Sequence, residues 1–370
     1  MEGVVLKMAD GFREKVTTAA GVSSYELIET TAGVEGSSIF KVNSDGTSGG
    51  NALSDTQAAG KIAKVKKNGL LISKDIGMMF EQQTGINQST IFSMTVFNNE
   101  LYVGTSPNGQ VWKRTSGGTW TQEITGISQS SIYSMTVFNN ELYVGTSPNG
   151  QVWKRTSGGT WTQEITGISQ SSILSMTVFN NELYVGTGVT TGEVWKRTTG
   201  GVWSKETTGI SATQIYSMTT DGNYLFVGTG ITTGQIWKRS TTGTWTQETT
   251  GISTTRINSM CYNGSNIFCG TANAQVWRRN SENNWTQETT GISQTNIWSL
   301  INIGTEVFAG TGENGQLWRR TALNTWQQTI TDNYSVIIFC MVVQNGELYT
   351  GSHNATQGKV YKRMNMAWRL

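Results

Sequence analysis

Residues 93–132 recur unchanged at 134–173, a shift of 41, and the same unit, loosened, runs on to the C-terminal residues. A period near this length, built of short β-type runs, marks a repeat architecture in which each copy buries its apolar face only against its neighbours. This constrains the chain more than its composition does.

One copy, taken at 125–165, shows the local logic. Ile132 to Phe138 is β-branched and aromatic, as a strand prefers. Asn139-Asn140 follows, and asparagine tolerates the positive φ that a two-residue hairpin turn requires. Glu141–Thr146 returns, Ser-Pro-Asn-Gly turns the chain again, Gln151–Arg155 makes a third strand, Gly158-Gly159 turns, and Thr160–Ile165 makes a fourth. Four antiparallel strands per repeat predict an all-β fold, a β-propeller of four-stranded blades.

Counting anchors gives the number of blades. The third-strand aromatic recurs as Trp112, Trp153, Trp195, Trp237, Trp277, Trp318 and Tyr361, and the fourth-strand tryptophan as Trp120, Trp161, Trp203, Trp245, Trp285, Trp326 and Trp368. We therefore expect seven blades over residues 78–370, with eight as the alternative. A second-strand glycine recurs from Gly104 to Gly351, a sign of close backbone approach, expected here where inner strands crowd a central channel. Asn68–Gly85 echoes Asn108–Gly126, with Ile72 at the place of Trp112 and Met79 at that of Trp120. Residues 69–83 are thus expected to supply ring-closing strands or part of an eighth blade, while MAWRL reads as the last strand of blade seven. Residues 1–77 do not repeat and read as a small β-rich attachment segment, marginal as a core of its own.

Composition narrows the functions. Charged residues are 14% of the chain against a usual quarter, and net charge is +2. Electrostatic capture of nucleic acid or of an anionic membrane is not expected. No apolar run approaches the ~20 residues of a membrane helix, so no membrane insertion is expected, and the first residues lack the apolar stretch of a signal peptide. Cys261 and Cys269 flank one hairpin. Its register sets Cys261 opposite Phe268 and turns Cys269 to the other face, so both are expected as free, buried thiols made in a reducing cytosol.

Paired cations from Lys113-Arg114 to Lys362-Arg363 recur on the third strand, and acids Glu123, Glu164, Glu206, Glu248 and Glu288 recur at a fixed offset on the fourth. A ring of sites for an acidic polymer is one reading. Charge pairing across strands, which also sets register, is the stronger one. The tryptophans are expected mainly in the interblade core. The fourth-strand set Trp120, Trp161, Trp203, Trp245, Trp285 and Trp326 lies toward the rim as candidate stacking platforms.

Loops joining strands two and three vary: SPNG, SPNG, GVTTG, GITTG, ANA, GENG, SHNATQG. In a propeller they share a face with the connectors between blades, and variation on one face of a repeat marks a candidate binding face. Its candidate residues are Asn108, Asn149, Thr190, Thr232, Asn273, Asn314 and His353. His353 is the sole histidine. Without a second histidine, a cysteine pair or a carboxylate cluster beside it, no metal site and no Ser–His–Asp arrangement is expected. No catalytic residue and no cofactor is assigned, and we expect a chain that is not an enzyme.

The turn Ser116-Gly117 through Thr119-Trp120 resembles the G-x-T-W half of the Asp-box of sialidase-like propellers, with Thr115 where the box has aspartate. The arginine triad, tyrosine nucleophile and acid of that family have no counterparts, so the resemblance implies architecture and not hydrolysis. The LYVGT…VWKR…W pattern is similar to kelch-like and tachylectin-like propellers, although the kelch double glycine is absent. The opening ADGFREKVTTAAGVSSYELIE resembles that of bacteriophage structural and tail-fibre proteins. That resemblance implies a virion protein made in the host cytoplasm, homo-oligomeric in an assembly. Its N-terminal segment would engage other virion proteins and its propeller a host-surface glycan. A free carbohydrate-binding lectin is the alternative.

Overall fold

In a computed structural model, the chain is described over the backbone of Val5–Lys7, Phe12–Ala19, Val22–Thr31, Val34–Asn43 and Met79–Gln82, and over 85–363 apart from 116, 189, 207, 231–232, 249–250, 289, 330–336 and 355. Every regular element among these residues is a strand. The chain divides into two compact units, 1–78 with 364–370, and 79–363.

In the first unit β1 (Val5–Lys7), β2 (Phe12–Ala19), β3 (Val22–Thr31) and β4 (Val34–Asn43) pair antiparallel in chain order. The β3–β4 register shifts near Ile28.

In the second unit β5 (Met79–Gln82) precedes the first complete repeat, formed by β6 (Thr90–Phe97), β7 (Glu100–Ser106), β8 (Val111–Arg114) and β9 (Trp120–Gln122). The β6–β7 turn is Asn98-Asn99 at φ 49° and 60°, the left-handed pair expected of a tight hairpin. Six further inner strands start at Ser131, Ser172, Gln214, Ile257, Ile297 and Ile337. Among the described residues, the strands from Met79 to Arg363 fall into seven antiparallel sets of four, and single pairings, Gly188↔Gln214 and His353↔Thr90, join two pairs of these sets into eight-stranded sheets. The seventh takes its outer strand from the other end of the chain: β5 pairs with Val360–Arg363 in the register Val360↔Gln82, Arg363↔Met79. Met79 thus occupies the place that Trp161 holds opposite Arg155. The outer place in this set, assigned from sequence to MAWRL, belongs to β5; residues 364–370 and Ile72 lie outside the described residues.

Each inner strand packs on the next, and the last on β6. Ser93 Oγ donates to Ile132 O at 2.9 Å, Ser134 to Ile173 O at 3.1 Å, Ser175 to Ile215 O at 3.0 Å and Ser217 to Ile257 O at 3.0 Å. The series continues through Asn258 Nδ2 to Ile297 O and Ser299 Oγ to Ile338 O, and Cys340 Sγ returns to Ile91 O at 3.5 Å. The recurring glycine serves this contact. A Cβ on Gly145 would lie 2.5 Å from Ile173 Cγ2 and 2.5 Å from Ser134 Oγ, closer than real carbons approach. The residue that demands glycine is therefore the isoleucine of the following blade, not a neighbour across the channel.

Interblade seams carry the charges. Glu123, Glu164, Glu206, Glu248 and Glu288 each bind a cation of their own blade and an arginine of the next. Lys154 lies 3.3 Å and Arg197 2.6 Å from Glu164. Arg155, Arg239, Arg279 and Arg320 repeat the arginine contact at 2.6–3.0 Å. Burial alone would raise the Glu164 carboxyl; Arg197, the Trp203 N–H and Lys154 outweigh it and hold the group below the ordinary carboxylate range. Each arginine also lies over an aromatic ring of the preceding blade: Arg197 over Tyr143, Arg239 over Tyr184, Arg363 over Phe308 and, closing the cycle, Arg114 over Tyr349. Cys261 faces Phe268 as expected, and Cys261 and Cys269 are free and buried. Burial pushes the Cys261 thiol up to about 12.

Candidate functional site

The candidate loop residues are spread blade by blade and fastened locally. The exposed Asn108 and Asn149 donate their backbone N–H to Gln88 and Gln129 Oε1 of their own connectors, at 3.0 and 3.1 Å. Thr190 Oγ1 donates to Gln170 Oε1 at 2.8 Å, and the Asn314 N–H to Gln294 Oε1 at 3.3 Å. Asn273 Nδ2 donates to Ser253 O at 3.1 Å. Thr232 lies outside the described residues. The next residue of the loop ties the opposite side: Gly109 N–H reaches Ser130 O at 2.8 Å, where a Cβ would sit 2.2 Å from Gln129 O. Each such loop is thus a staple between two connectors, and these residues do not converge.

The fourth-strand tryptophans lie between blades. The indole N–H of Trp161, Trp203, Trp245 and Trp285 donates to Glu123, Glu164, Glu206 and Glu248 of the preceding blade at 3.1–3.3 Å. Trp285 and Trp326 are buried, and Trp120, Trp161, Trp203 and Trp245 pack against apolar clusters. Trp120, Trp161, Trp203 and Trp245 remain half-buried.

What does converge is a set that the sequence reading passed over. In every inner strand the register slips by one residue: between Ile91 and Ser93, Ile132 and Ser134, and so on to Ile338 and Cys340. The bulged residues are Phe92, Tyr133, Leu174, Tyr216, Asn258, Trp298 and Phe339, all half-buried. A bulge re-aims a side chain out of the strand's alternation. Here four of the bulged side chains meet in a row. Phe92 lies 4.6 Å from Tyr133 and 4.9 Å from Phe339, and Phe339 4.9 Å from Trp298, ring centre to ring centre. Arg256 bridges Tyr216 and Trp298. Burial pushes the Tyr133 phenol up, against a hydrogen bond with Ser131. This collar lies on the inner strands, at the end where they pair with the start of the variable loops.

Among the described loop candidates, His353 is the one that reaches the collar. Its Nδ1 shares a 2.8 Å hydrogen bond with Thr90 Oγ1, and its ring meets Phe339 edge-on at 6.2 Å. In the next two blades the same place is a serine pair, Ser131 Oγ donating to Ser106 Oγ and Ser172 to Ser147. Among the described residues no group of three His, Cys, Asp or Glu side chains is placed to hold a metal ion, and no helix is long and apolar enough to cross a membrane.

A signal for the collar was present in the sequence. Its residues sit between a fixed isoleucine and a serine (cysteine in the last copy): Ile-Phe-Ser, Ile-Tyr-Ser, Ile-Leu-Ser, Ile-Tyr-Ser, Ile-Asn-Ser, Ile-Trp-Ser, Ile-Phe-Cys. Copies one and two, identical over forty residues, differ at this position.

The geometry defines a β-propeller with an aromatic collar, and the solved structures similar to it are propellers too. Virginiamycin B lyase from Staphylococcus aureus has a TM-score of 0.69 at 11% identity, over 78% of this chain and 99% of the lyase. The WD40 propeller domain of Doa1 has a TM-score of 0.63 at 12% identity, over 78% and 98%. YCF48 bound to D1 peptide has 0.62 at 13%, over 80% and 96%. No family model matches the sequence, and no curated protein does. The expectation that the chain is not an enzyme does not stand, because virginiamycin B lyases are enzymes built on this ring. The fold carries catalysts and binders alike, so a missing familiar triad is no ground for excluding catalysis.

Proposed function

We propose that this chain is a recognition propeller, seven-bladed and closed by β5, that takes its ligand at the collar. The observation that carries this reading is variation inside the repeat. Positions that pack blade on blade, such as the isoleucine and the glycine, are the same in all seven copies, because every seam is alike. Between them the bulged position is the one that differs among the first three copies, and over all seven it runs Phe, Tyr, Leu, Tyr, Asn, Trp, Phe. A residue that meets a ligand without sevenfold symmetry has reason to differ from copy to copy. A mostly aromatic lining with a few polar groups is also the usual make-up of a ligand site. The ligand expected is one that presents a planar or apolar face. YCF48, a similar ring, is described as bound to a peptide, so peptides belong in the test beside the glycans. The phage-like opening has no counterpart in the similar structures named above, and this reading does not rest on it.

The test is binding of the full-length protein to a bacterial-envelope glycan panel and a peptide array, beside Trp298→Ala and Asn108→Ala. Saturable binding lost in Trp298→Ala and kept in Asn108→Ala supports the collar. Binding lost in Asn108→Ala and kept in Trp298→Ala moves the site to the outer loops.

A further inference from the structure

We propose that one side of the collar, centred on Arg256, is a subsite for an oxyanion, the carboxylate or phosphoryl group of a ligand that also carries an aromatic or apolar body. The inference rests on the collar reading above and deepens it. Arg256 immediately precedes its inner strand, bridged to Gly230, at a place where the other copies have Thr90, Ser131, Ser172, Gln214, Asn296 and Ile337, none of them charged. Its guanidinium carbon sits 4.8 Å from the Tyr216 ring and 4.6 Å from the Trp298 ring, so aromatic rings flank the group. Gly230 makes the room: a Cβ there would lie 2.6 Å from Arg256 Cγ and 2.8 Å from Tyr216 Cδ2.

The seam arginines from Arg155 to Arg320 each have a carboxylate at 2.6–3.0 Å. Arg256 has no carboxylate among the described residues; its side chain's hydrogen bond is a long one, Nη1 to Tyr216 Oη at 3.4 Å. Its Nε is buried without an acceptor there, and so is Trp298 Nε1. Two acceptors on the same run of strands, Gln214 Oε1 across Gly230 from Arg256 and Asn258 Oδ1 two residues further on, are buried without donors, and Gln214 is 9% exposed. A cation that only braced two rings would give no reason for four unmatched polar atoms in adjacent blades. Buried polar groups in proteins are generally paired, and leaving them unpaired is costly. A guanidinium is a planar fork of donors that matches the paired oxygens of a carboxylate or phosphoryl group. The two acceptors would take N–H or O–H groups next to the anion.

The experiment uses full-length protein labelled with 5-fluorotryptophan, with the Trp298 resonance assigned by Trp298→Phe. Benzoate, phenyl phosphate and benzyl alcohol are titrated at constant ionic strength. The expected result is a saturable Trp298 shift, about ten-fold tighter for the better anion than for benzyl alcohol, as one charge-assisted contact supplies. The order of benzoate and phenyl phosphate tells carboxylate from phosphoryl recognition. Arg256→Gln should remove the preference for the anion, and Arg256→Lys should keep part of it; the unliganded Trp298 resonance of each variant shows whether the collar has kept its fold. Benzyl alcohol binding as tightly as both anions overturns the oxyanion subsite and leaves the collar standing. No shift of Trp298 with any of the three overturns both.

Discussion

Replacing Glu164 by glutamine tests whether the seams hold the ring together. Glu164 accepts from Arg197 at 2.6 Å and from the Trp203 indole at 3.1 Å, with Lys154 at 3.3 Å. Arg197 is 6% exposed, so its charge has little water to fall back on. Removing one partner of a buried pair typically costs about 3–5 kcal/mol. Glutamine keeps an oxygen for one of the three donors, and the guanidinium keeps its place over Tyr143, so about 2–3 kcal/mol is expected. The assay is urea unfolding of the full chain by tryptophan fluorescence, with the slope compared to confirm that the same surface unfolds. A loss below about 0.5 kcal/mol, the scale of an exposed surface pair, would refute the claim that these seams are buried and cooperative.

Three further outcomes follow from the same geometry. Gly145→Ala should cost about 2–4 kcal/mol, from overpacking against Ile173 and strain on the Ser134 hydrogen bond; Gly126→Ala, where the φ is +73° and no atom lies within 4 Å, should cost about 1 kcal/mol in the same melt. Because Glu123, Glu164, Glu206, Glu248 and Glu288 are held below their unfolded values, their stabilisation is complete above the unfolded carboxyl value of about 4.3 and is lost as pH falls through the lower folded values. Melting temperature should therefore be flat from about pH 6 to 5 and drop steeply below about 4. Gln82→Glu should stabilise the ring by about 1–2 kcal/mol in urea unfolding. Gln82 holds the register place of Glu288 opposite Val276, and Arg114 Nε and Trp120 Nε1 across that seam have no partner among the described residues.

The ring was legible because repetition multiplies weak local signals. One hairpin such as Phe97–Glu100 is marginal evidence alone; its recurrence with Trp, Gly and paired charges at constant offsets leaves one architecture. The Lys–Arg–Glu pattern was legible as pairing, but which blade each cation serves was not. Alternation places Lys154 and Arg197 of successive blades on the two sides of Glu164, and only the packing of blade on blade brings them together. The collar escaped because a bulge breaks the period-2 rule that assigns residues to faces. By alternation Phe92 is one more apolar residue in an apolar strand. The slip between Ile91 and Ser93 sets it against Tyr133 and Phe339. The loop candidates other than His353 stay apart for the opposite reason: variation in the strand-two-to-three loops is fastened to connector residues such as Gln88 and Gln129.

The collar claim is tested most directly by oxidative footprinting of the full-length protein, with and without a ligand captured on the glycan or peptide panel. Protection concentrated at Phe92, Tyr133, Tyr216, Trp298 and Phe339, with the outer strands unchanged, is the predicted result. Protection on the outer strands around Trp161 and Trp203, with the collar oxidised as before, would contradict the account.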